Sequence, residues 1–171
     1  MFKNLFPDHY YDSVFEIPYK DLKSEGIKAI IFDIDNTLAE YRFAMPPERT
    51  INLIKRLQKM GLKVCLLTNN NKRSLDRFNK GLKLPAYSQG LKPLAGKAKR
   101  AMKEMGATPA ETMIIGDQVL TDIWCAKKIK AKAILVKPMS DRDIWTVKLK
   151  RGLEKVILSQ YEKSLKAAAV E

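Results

Sequence analysis

The feature that most constrains this chain is a short apolar run that ends in two carboxylates two residues apart. Residues 30–38 read Ile-Ile-Phe-Asp-Ile-Asp-Asn-Thr-Leu. A run of this length, bounded by Gly26 and by a polar break, predicts a buried strand of a parallel sheet. Ligands of open α/β sheets bind beyond the carboxyl ends of such strands. The strand therefore delivers Asp33 and Asp35 to the expected site of chemistry, where their mutual repulsion favours a bound hard cation.

Alternating apolar runs and helical patterns predict an α/β fold. Strands are expected at residues 28–33, 62–67, 85–88, 112–116 and 131–136, with helices between them. This order predicts a three-layer α/β/α, Rossmann-like core around a five-stranded, mostly parallel sheet. We expect one domain over residues 1–171, with an N-terminal arm at 1–26 and a C-terminal helix at 141–171.

Composition excludes several classes of protein. The 171 residues are 46% hydrophobic, which is enough for one domain with a core. Two cysteines, Cys65 and Cys125, make no disulfide framework and are predicted to be buried, reduced thiols. A single histidine, His9, argues against histidine-rich zinc sites and a Ser-His-Asp triad. No apolar run is long enough for a membrane span or a secretory signal, so we expect a cytoplasmic protein.

The net charge of +13 indicates attraction to polyanions. Nucleic acid, ribosomes and anionic lipid headgroups would all be attracted, although solubility alone explains the charge equally well. Aromatic residues do not interleave with the basic helices, so nucleic acid is not the favoured partner.

The C-terminal helix offers a second link to membranes. Trp145 and Leu149 lie beside Lys148, Lys150 and Arg151, a mixture that fits peripheral contact with the inner face of an anionic membrane. The favoured alternative is that the helix packs on the sheet. Its predicted apolar stripe consists of Trp145, Leu149, Leu153, Val156 and Tyr161.

Polar groups at the strand ends have matching tasks in phosphoryl transfer. Asp33 could attack phosphorus and form an acyl phosphate, which divides hydrolysis into two steps. Asp35 could protonate the leaving oxygen and then activate water. Asp117 follows a later strand and would complete a set of oxygen ligands for Mg²⁺.

Two further strand ends supply binding groups. The hydroxyl of Thr68 and the backbone amides at Thr68 and Asn69 could bind phosphoryl oxygens, and Lys92 could neutralise the charge of the phosphoryl group and nucleophile. Simpler roles stay open: Thr68 could cap the next helix, Asn69 is a turn residue, and Asp122 could be a cap or an ion-pair partner.

Together these segments resemble the four motifs of the haloacid dehalogenase-like (HAD) superfamily. The matching segments occur in the family's order, at residues 33–38, 68–69, 92–93 and 116–122. The resemblance implies an Asp33 nucleophile and Mg²⁺ held by the Asp33 side chain, the Asp35 backbone carbonyl and Asp117. Asp122 matches the second acid of the fourth motif, which supports the metal's waters or Lys92. An Asp at position 35 is typical of the family's phosphatases and mutases, so a phosphatase is expected.

The segments between the motifs are short. Neither the gap after Asp35 nor that after Thr68 has room for a cap domain, so the resemblance is to capless (subclass III) members with an open site. Overall the chain resembles the YqeG-like subgroup, which is similar to mitochondrial phosphatidylglycerophosphate phosphatases. This implies a lipid-borne phosphate monoester of phospholipid biosynthesis as substrate. The alternatives are a phosphatase for nucleic-acid ends or small phosphate esters, or a basic RNA- or ribosome-binding module.

Overall fold

A parallel sheet of six strands forms the centre of the computed structural model. The structure describes residues 2–41, 43–140 and 145–168, without the side chains of residues 145–151 and 168. The strand order is β1-β6-β5-β2-β3-β4. The strands are β1 (His9–Tyr11), β2 (Ala29–Phe32), β3 (Lys63–Leu67), β4 (Ala86–Tyr87), β5 (Thr112–Gly116) and β6 (Lys132–Val136).

Helices connect the strands and cover both faces of the sheet. A π-helical turn, Val119–Ile123, leads directly into α5, and short 3₁₀ turns occupy Lys3–Leu5 and Pro109–Glu111. The helices are α1 (Tyr19–Ser24), α2 (Glu48–Lys59), α3 (Lys72–Asn79), α4 (Gly96–Glu104), α5 (Trp124–Lys128) and α6 (Trp145–Ala168).

The alternation of side chains along β2 divides the core into two layers. Ile30 and Phe32 pack with residues of α1, α2 and α3 on one face. Ala29 and Ile31 pack with residues of α4, α5 and α6 on the other face. Because successive side chains of a strand point to opposite faces, one fully buried strand serves both layers. The predicted three-layer α/β/α core is therefore confirmed.

The central strand β2 marks the point where the strand order reverses. It pairs in parallel with β3 on one side and with β5 on the other. The chain runs from β2 to β3 and β4 in one direction, then returns to β5 and β6. A crevice opens at the carboxyl ends of strands at such a switch point, which is where ligands bind in open α/β sheets.

The predicted strand count of five is wrong by one. The additional strand, β1, pairs in parallel with β6, with His9 opposite Ile134. Asp8 anchors its start, because its backbone N–H donates to the carbonyl of Ala133 at 2.7 Å and its carboxylate accepts from the Ala133 N–H at 2.6 Å. Three half-buried polar and aromatic residues carry no apolar run, so pairing with β6 rather than local sequence makes this segment a strand.

The predicted apolar stripe of α6 is also wrong in part. Leu153 and Val156 are 46% and 51% exposed, whereas Glu154 is 3% exposed and Ile157 is fully buried. Tyr161 is buried as expected. The Glu154 carboxylate faces inward because it accepts a hydrogen bond from the π-helical turn. The side chains of Trp145 and Leu149, and of the basic residues predicted to accompany them, lie outside the described residues.

The aromatic N-terminal arm packs on the domain. Phe2, Leu5 and Phe6 pack against the layer of α4, α5 and α6, and the rings of Phe6 and Tyr161 lie edge to face with centroids 5.5 Å apart. Val14 belongs to the core of the opposite layer. Among the helices that the structure describes, none combines the length and the apolar character that crossing a bilayer requires.

Both cysteine thiols should resist modification in the folded protein. Cys65 and Cys125 are unpaired and fully buried, and burial raises the pKa of Cys65 to about 12 and that of Cys125 to about 11. Since only the thiolate reacts, we expect no reaction with Ellman's reagent at pH 8 until guanidinium unfolds the chain, after which two thiols react. Rapid reaction of either thiol in buffer would contradict this burial.

Candidate active site

The carboxyl ends of the strands bring the predicted residues to one crevice. Asp33 and Asp35 follow β2, Thr68 follows β3, and Asp117 follows β5. Lys92 arrives from the loop after β4. Since parallel strands end at the same edge of a sheet, residues far apart in sequence become neighbours here.

Lys92 is a buried cation held between two carboxylates. Its Nζ lies 2.5 Å from Oδ1 of Asp33 and 2.6 Å from Oδ1 of Asp122, and its side chain is 2% exposed. Burial by itself lowers the pKa of Lys92, but the attraction of Asp122 and Asp33 raises that pKa above its ordinary value. Lys92 therefore stays charged, and its ammonium group joins the end of β2 to the π-helical turn that follows β5.

Acidic groups outnumber this one cation. One carboxylate oxygen each of Asp33, Asp117 and Asp122 lies within 4.8 Å of the others, and all three residues are buried. Burial raises the pKa of Asp33 well above its ordinary value; Lys92 opposes this shift, and Asp122, Asp35 and Asp117 add to it. Three buried carboxylates beside one ammonium group form an oxygen-rich, anionic donor set, which suits a hard divalent cation.

Asp35 is held by donors from the neighbouring strand end. The hydroxyl of Thr68 and the side-chain amide of Asn70 both donate to its Oδ2, at 3.2 and 3.1 Å. The Thr68 hydroxyl in turn accepts from the Asn70 backbone N–H at 3.0 Å. Burial raises the pKa of Asp35, while these two hydrogen bonds and Lys92 lower it. With both donors on Oδ2, Oδ1 accepts no hydrogen bond from the residues described.

Asn69 fixes the loop that carries Lys92. Its side-chain carbonyl accepts from the Lys92 backbone N–H at 2.8 Å, and its amide donates to the Lys92 carbonyl at 3.3 Å. The Asn69 side chain is thus used within the protein, where it holds both backbone polar groups of Lys92.

The π-helical turn presents Asp122 to Lys92. Oδ2 of Asp122 accepts from the Gln118 backbone N–H at 3.1 Å and from the Thr121 hydroxyl at 3.3 Å, so Oδ1 is directed to Lys92. A Cβ atom on Gly116 would lie 2.2 Å from Cγ of Asp122. The absence of a side chain at position 116 is therefore what lets the carboxylate lie against the end of β5.

Helix α6 supports the same turn from within the layer that it shares with α4 and α5. The buried carboxylate of Glu154 accepts from the Leu120 backbone N–H at 3.0 Å. Leu120 lies within the π-helical turn, two residues before Asp122. The C-terminal helix thus contributes one hydrogen bond to the support of the site.

Sequence reasoning missed four supporting residues. Asn70 read as a turn residue, Gly116 as the end of a strand, and Glu154 lay outside the predicted apolar stripe of the C-terminal helix. Thr37, whose hydroxyl donates to Asp117 at 3.5 Å, had no assigned role. Only Gly116 carried a signal, because a glycine at the end of a buried strand indicates close approach of another group.

Comparisons with known proteins give matches over most of the chain. A family model described as haloacid dehalogenase-like hydrolase matches residues 30–91, and one described as HAD-hydrolase-like matches residues 91–143. The probable phosphatase YqeG of Bacillus subtilis is 32% identical over 160 residues, which cover 93% of each chain.

A second relative and a solved structure extend the comparison. Phosphatidylglycerophosphate phosphatase 1 of Arabidopsis thaliana, chloroplastic/mitochondrial, is 28% identical over 85% of this chain, which spans 44% of the plant protein. The deoxy-D-mannose-octulosonate 8-phosphate phosphatase of Haemophilus influenzae shares the fold with a TM-score of 0.54 and 20% identity, over 83% of this chain and 93% of that one.

A parallel sheet with carboxylates at adjoining strand ends and a buried lysine between them defines an enzyme of the phosphatase type. The chain belongs to the haloacid dehalogenase-like hydrolase family. Its described residues contain no cap domain: between Asp35 and Thr68 they form a loop, α2 and β3, and between Thr68 and Lys92 they form α3 and β4.

Adding one methyl group at Gly116 should disturb the site. In Gly116→Ala the new Cβ overlaps the Asp122 carboxylate, so we expect unfolding free energy to fall by about 1–3 kcal/mol together with a loss of phosphatase activity. Urea unfolding and hydrolysis of p-nitrophenyl phosphate measure the two effects. Gly152→Ala is the matched control, because a Cβ there meets nothing within 4 Å and should stabilise α6 by ~0.5–1 kcal/mol. Equal behaviour of the two variants would refute the steric argument.

Removing the buried ammonium group should cost both stability and activity. Lys92→Met leaves Asp33 and Asp122 without their cation, so we expect a loss of about 3–5 kcal/mol in unfolding free energy. Activity should fall by about 10²–10³-fold, the usual effect of losing one donor to transition-state charge. Lys99→Met, on the exposed face of α4, is the control and should change neither quantity. A Lys92→Met protein of wild-type stability would show that the pairing is not structural.

Proposed function

We propose that this chain is a Mg²⁺-dependent phosphomonoesterase that works through an aspartyl phosphate on Asp33. The observation that carries the proposal is the Lys92 ammonium group 2.5 Å from the Asp33 carboxylate, with Asp35 two residues on. Lys92 opposes the rise that burial causes in the pKa of Asp33, and it fixes the carboxylate in direction, as a nucleophile requires. The same ammonium group is placed to balance the charge of an arriving phosphoryl group.

The first step is attack of an Asp33 oxygen on phosphorus. As that bond forms, the bond from phosphorus to the ester oxygen breaks, and Asp35 gives its proton to the departing oxygen. Thr68 and Asn70 hold Asp35 through Oδ2, so Oδ1 is the oxygen placed to carry this proton. An alcohol leaves, and phosphate remains on Asp33 as a mixed anhydride.

The second step returns the enzyme to its starting state. Asp35, now a carboxylate, takes a proton from water while the water oxygen attacks phosphorus. The bond between phosphorus and Asp33 breaks, and inorganic phosphate leaves. The backbone N–H of Asn69 binds a phosphoryl oxygen in both steps, since the N–H of Thr68 already donates to the Tyr87 carbonyl at 3.0 Å. The Asn69 side chain holds the Lys92 loop in place.

The donor set of the site fits a divalent cation. We assign the ligands to the Asp33 side chain, the Asp35 backbone carbonyl and the Asp117 side chain. Asp122 lies close enough to join them, but its two oxygens already accept from Lys92, Gln118 and Thr121, which makes it the partner that positions Lys92. When bound, Mg²⁺ supplies Lewis-acid neutralisation of the phosphoryl and carboxylate charges.

Phosphatidylglycerophosphate is the proposed substrate. Support comes from the plant relative named for that activity and from the open, capless site. Large apolar side chains also surround the site on the loops that follow β2 and β4, where they are 44–63% exposed: Tyr41, Phe43, Met45, Leu91 and Leu94. An apolar rim on a chain of net charge +13 suits the surface of an anionic membrane. Substrate and membrane contact both rest on these features.

Vesicles containing phosphatidylglycerophosphate test this assignment. We expect Mg²⁺-dependent phosphate release that EDTA abolishes and that Asp33→Asn lowers by at least ~10³-fold, because an amide cannot form the acyl phosphate. Asp21→Asn, an exposed carboxylate on α1, is the control and should retain full activity. Release of phosphate from p-nitrophenyl phosphate but not from the lipid would rule out the lipid as substrate and leave the proposed mechanism in place. Full activity of Asp33→Asn would overturn the mechanism.

A further inference from the structure

A cleft of about 300 Å³ opens beside Asp35, between the loop that follows β2 and helix α3. We propose that this cleft binds the departing alcohol of the substrate and that Arg77 binds a second anionic phosphate on that alcohol. The proposal rests on the phosphatase function given above and adds to it a specificity-determining residue outside the four sequence motifs.

The position of the cleft relative to the catalytic groups indicates which part of a substrate enters it. Asp35 and Thr68 line the cleft, whereas Asp33, Lys92 and Asp117 do not. The phosphoryl group must lie against Asp33 and Lys92, and the departing oxygen must come within hydrogen-bonding distance of Asp35. Whatever is attached to that oxygen therefore extends past Asp35 into the cleft.

The walls of the cleft define the chemistry of the alcohol. Tyr41, Phe43 and Phe78 give apolar surface, and Ser74 gives a hydroxyl group. The volume suits a short polyol and is too small for acyl chains, which would remain outside among the exposed apolar side chains of the rim.

Arg77 supplies positive charge on the wall of the cleft that α3 forms. It is the one cation among the described residues that line the cleft, and none of the described carboxylates forms an ion pair with it. Arg77 and Ser74 are three residues apart on α3 and so share one helix face. A guanidinium group binds phosphate oxygens through two parallel hydrogen bonds, which favours a second phosphate on the alcohol.

Two kinds of substrate share this chemistry. A phosphodiester follows the glycerol in phosphatidylglycerophosphate, and a second phosphate ester occurs in sugar bisphosphates. Glycerophosphoglycerophosphate, the deacylated headgroup, represents the first kind in soluble form, and fructose 1,6-bisphosphate represents the second. Glycerol 3-phosphate lacks the second phosphate and is the reference substrate.

The test compares kcat/KM for glycerophosphoglycerophosphate with kcat/KM for glycerol 3-phosphate. We expect the wild-type enzyme to prefer the first and Arg77→Ala to lower this preference by ~10–100-fold, the range for losing hydrogen bonds to a charged group. Arg77→Lys should retain part of the preference, since a point charge remains. Arg73→Ala, exposed on the same helix and outside the cleft, is the matched control and should retain all of it. A preference for fructose 1,6-bisphosphate over glycerol 3-phosphate that also depends on Arg77 would show that the subsite serves sugar bisphosphates.

Binding separates this proposal from the catalytic one. In the Asp33→Asn background with Mg²⁺ in solution, calorimetry should show that Arg77→Ala weakens binding of glycerophosphoglycerophosphate by the same factor, whether or not the lipid is hydrolysed. If the enzyme does not hydrolyse the lipid but Arg77→Ala still weakens this binding, the lipid is ruled out as substrate and the Arg77 subsite is supported. A preference that survives Arg77→Ala, or a wild-type enzyme without preference, would overturn the subsite.

Discussion

The buried ammonium group of Lys92 is the interaction on which the rest of the site depends. It lies between Asp33 and Asp122, which follow different strands, and it is almost fully removed from solvent. Carboxylates this close and this deeply buried would otherwise repel each other. The ammonium group keeps the pair in place, and in the proposed mechanism it also directs the nucleophile.

The surrounding structure holds this cation and its partners at fixed positions. Asn69 binds both backbone polar groups of Lys92, while Gln118 and Thr121 bind the oxygen of Asp122 that Lys92 does not use. Gly116 leaves the space that the Asp122 carboxylate fills. Glu154 extends this support to the C-terminal helix. Catalytic geometry in this protein is therefore a property of the whole fold.

The open side of the site contrasts with its buried centre. Exposed apolar side chains lie on the loops around the crevice. The cleft that contains Ser74 and Arg77 adjoins Asp35, the proposed proton donor. The described segments between the motifs contain single helices in place of a cap. If the substrate lies in a membrane surface, that surface would cover the open site in place of a cap domain. Substrates would then be distinguished by the cleft that binds the departing alcohol.

Sequence patterns determined the central features of this protein. Apolar runs located the buried strands β2, β3, β5 and β6, since burial on both faces needs continuous apolar segments. Carboxylates at a strand end indicated the site because the ends of parallel strands share one edge. Strand β1, the inward position of Glu154 and the dependence of Asp122 on Gly116 were decided by tertiary structure alone. Each of these features arises from a contact between segments distant in sequence, and periodicity within one segment carries no information about its partner.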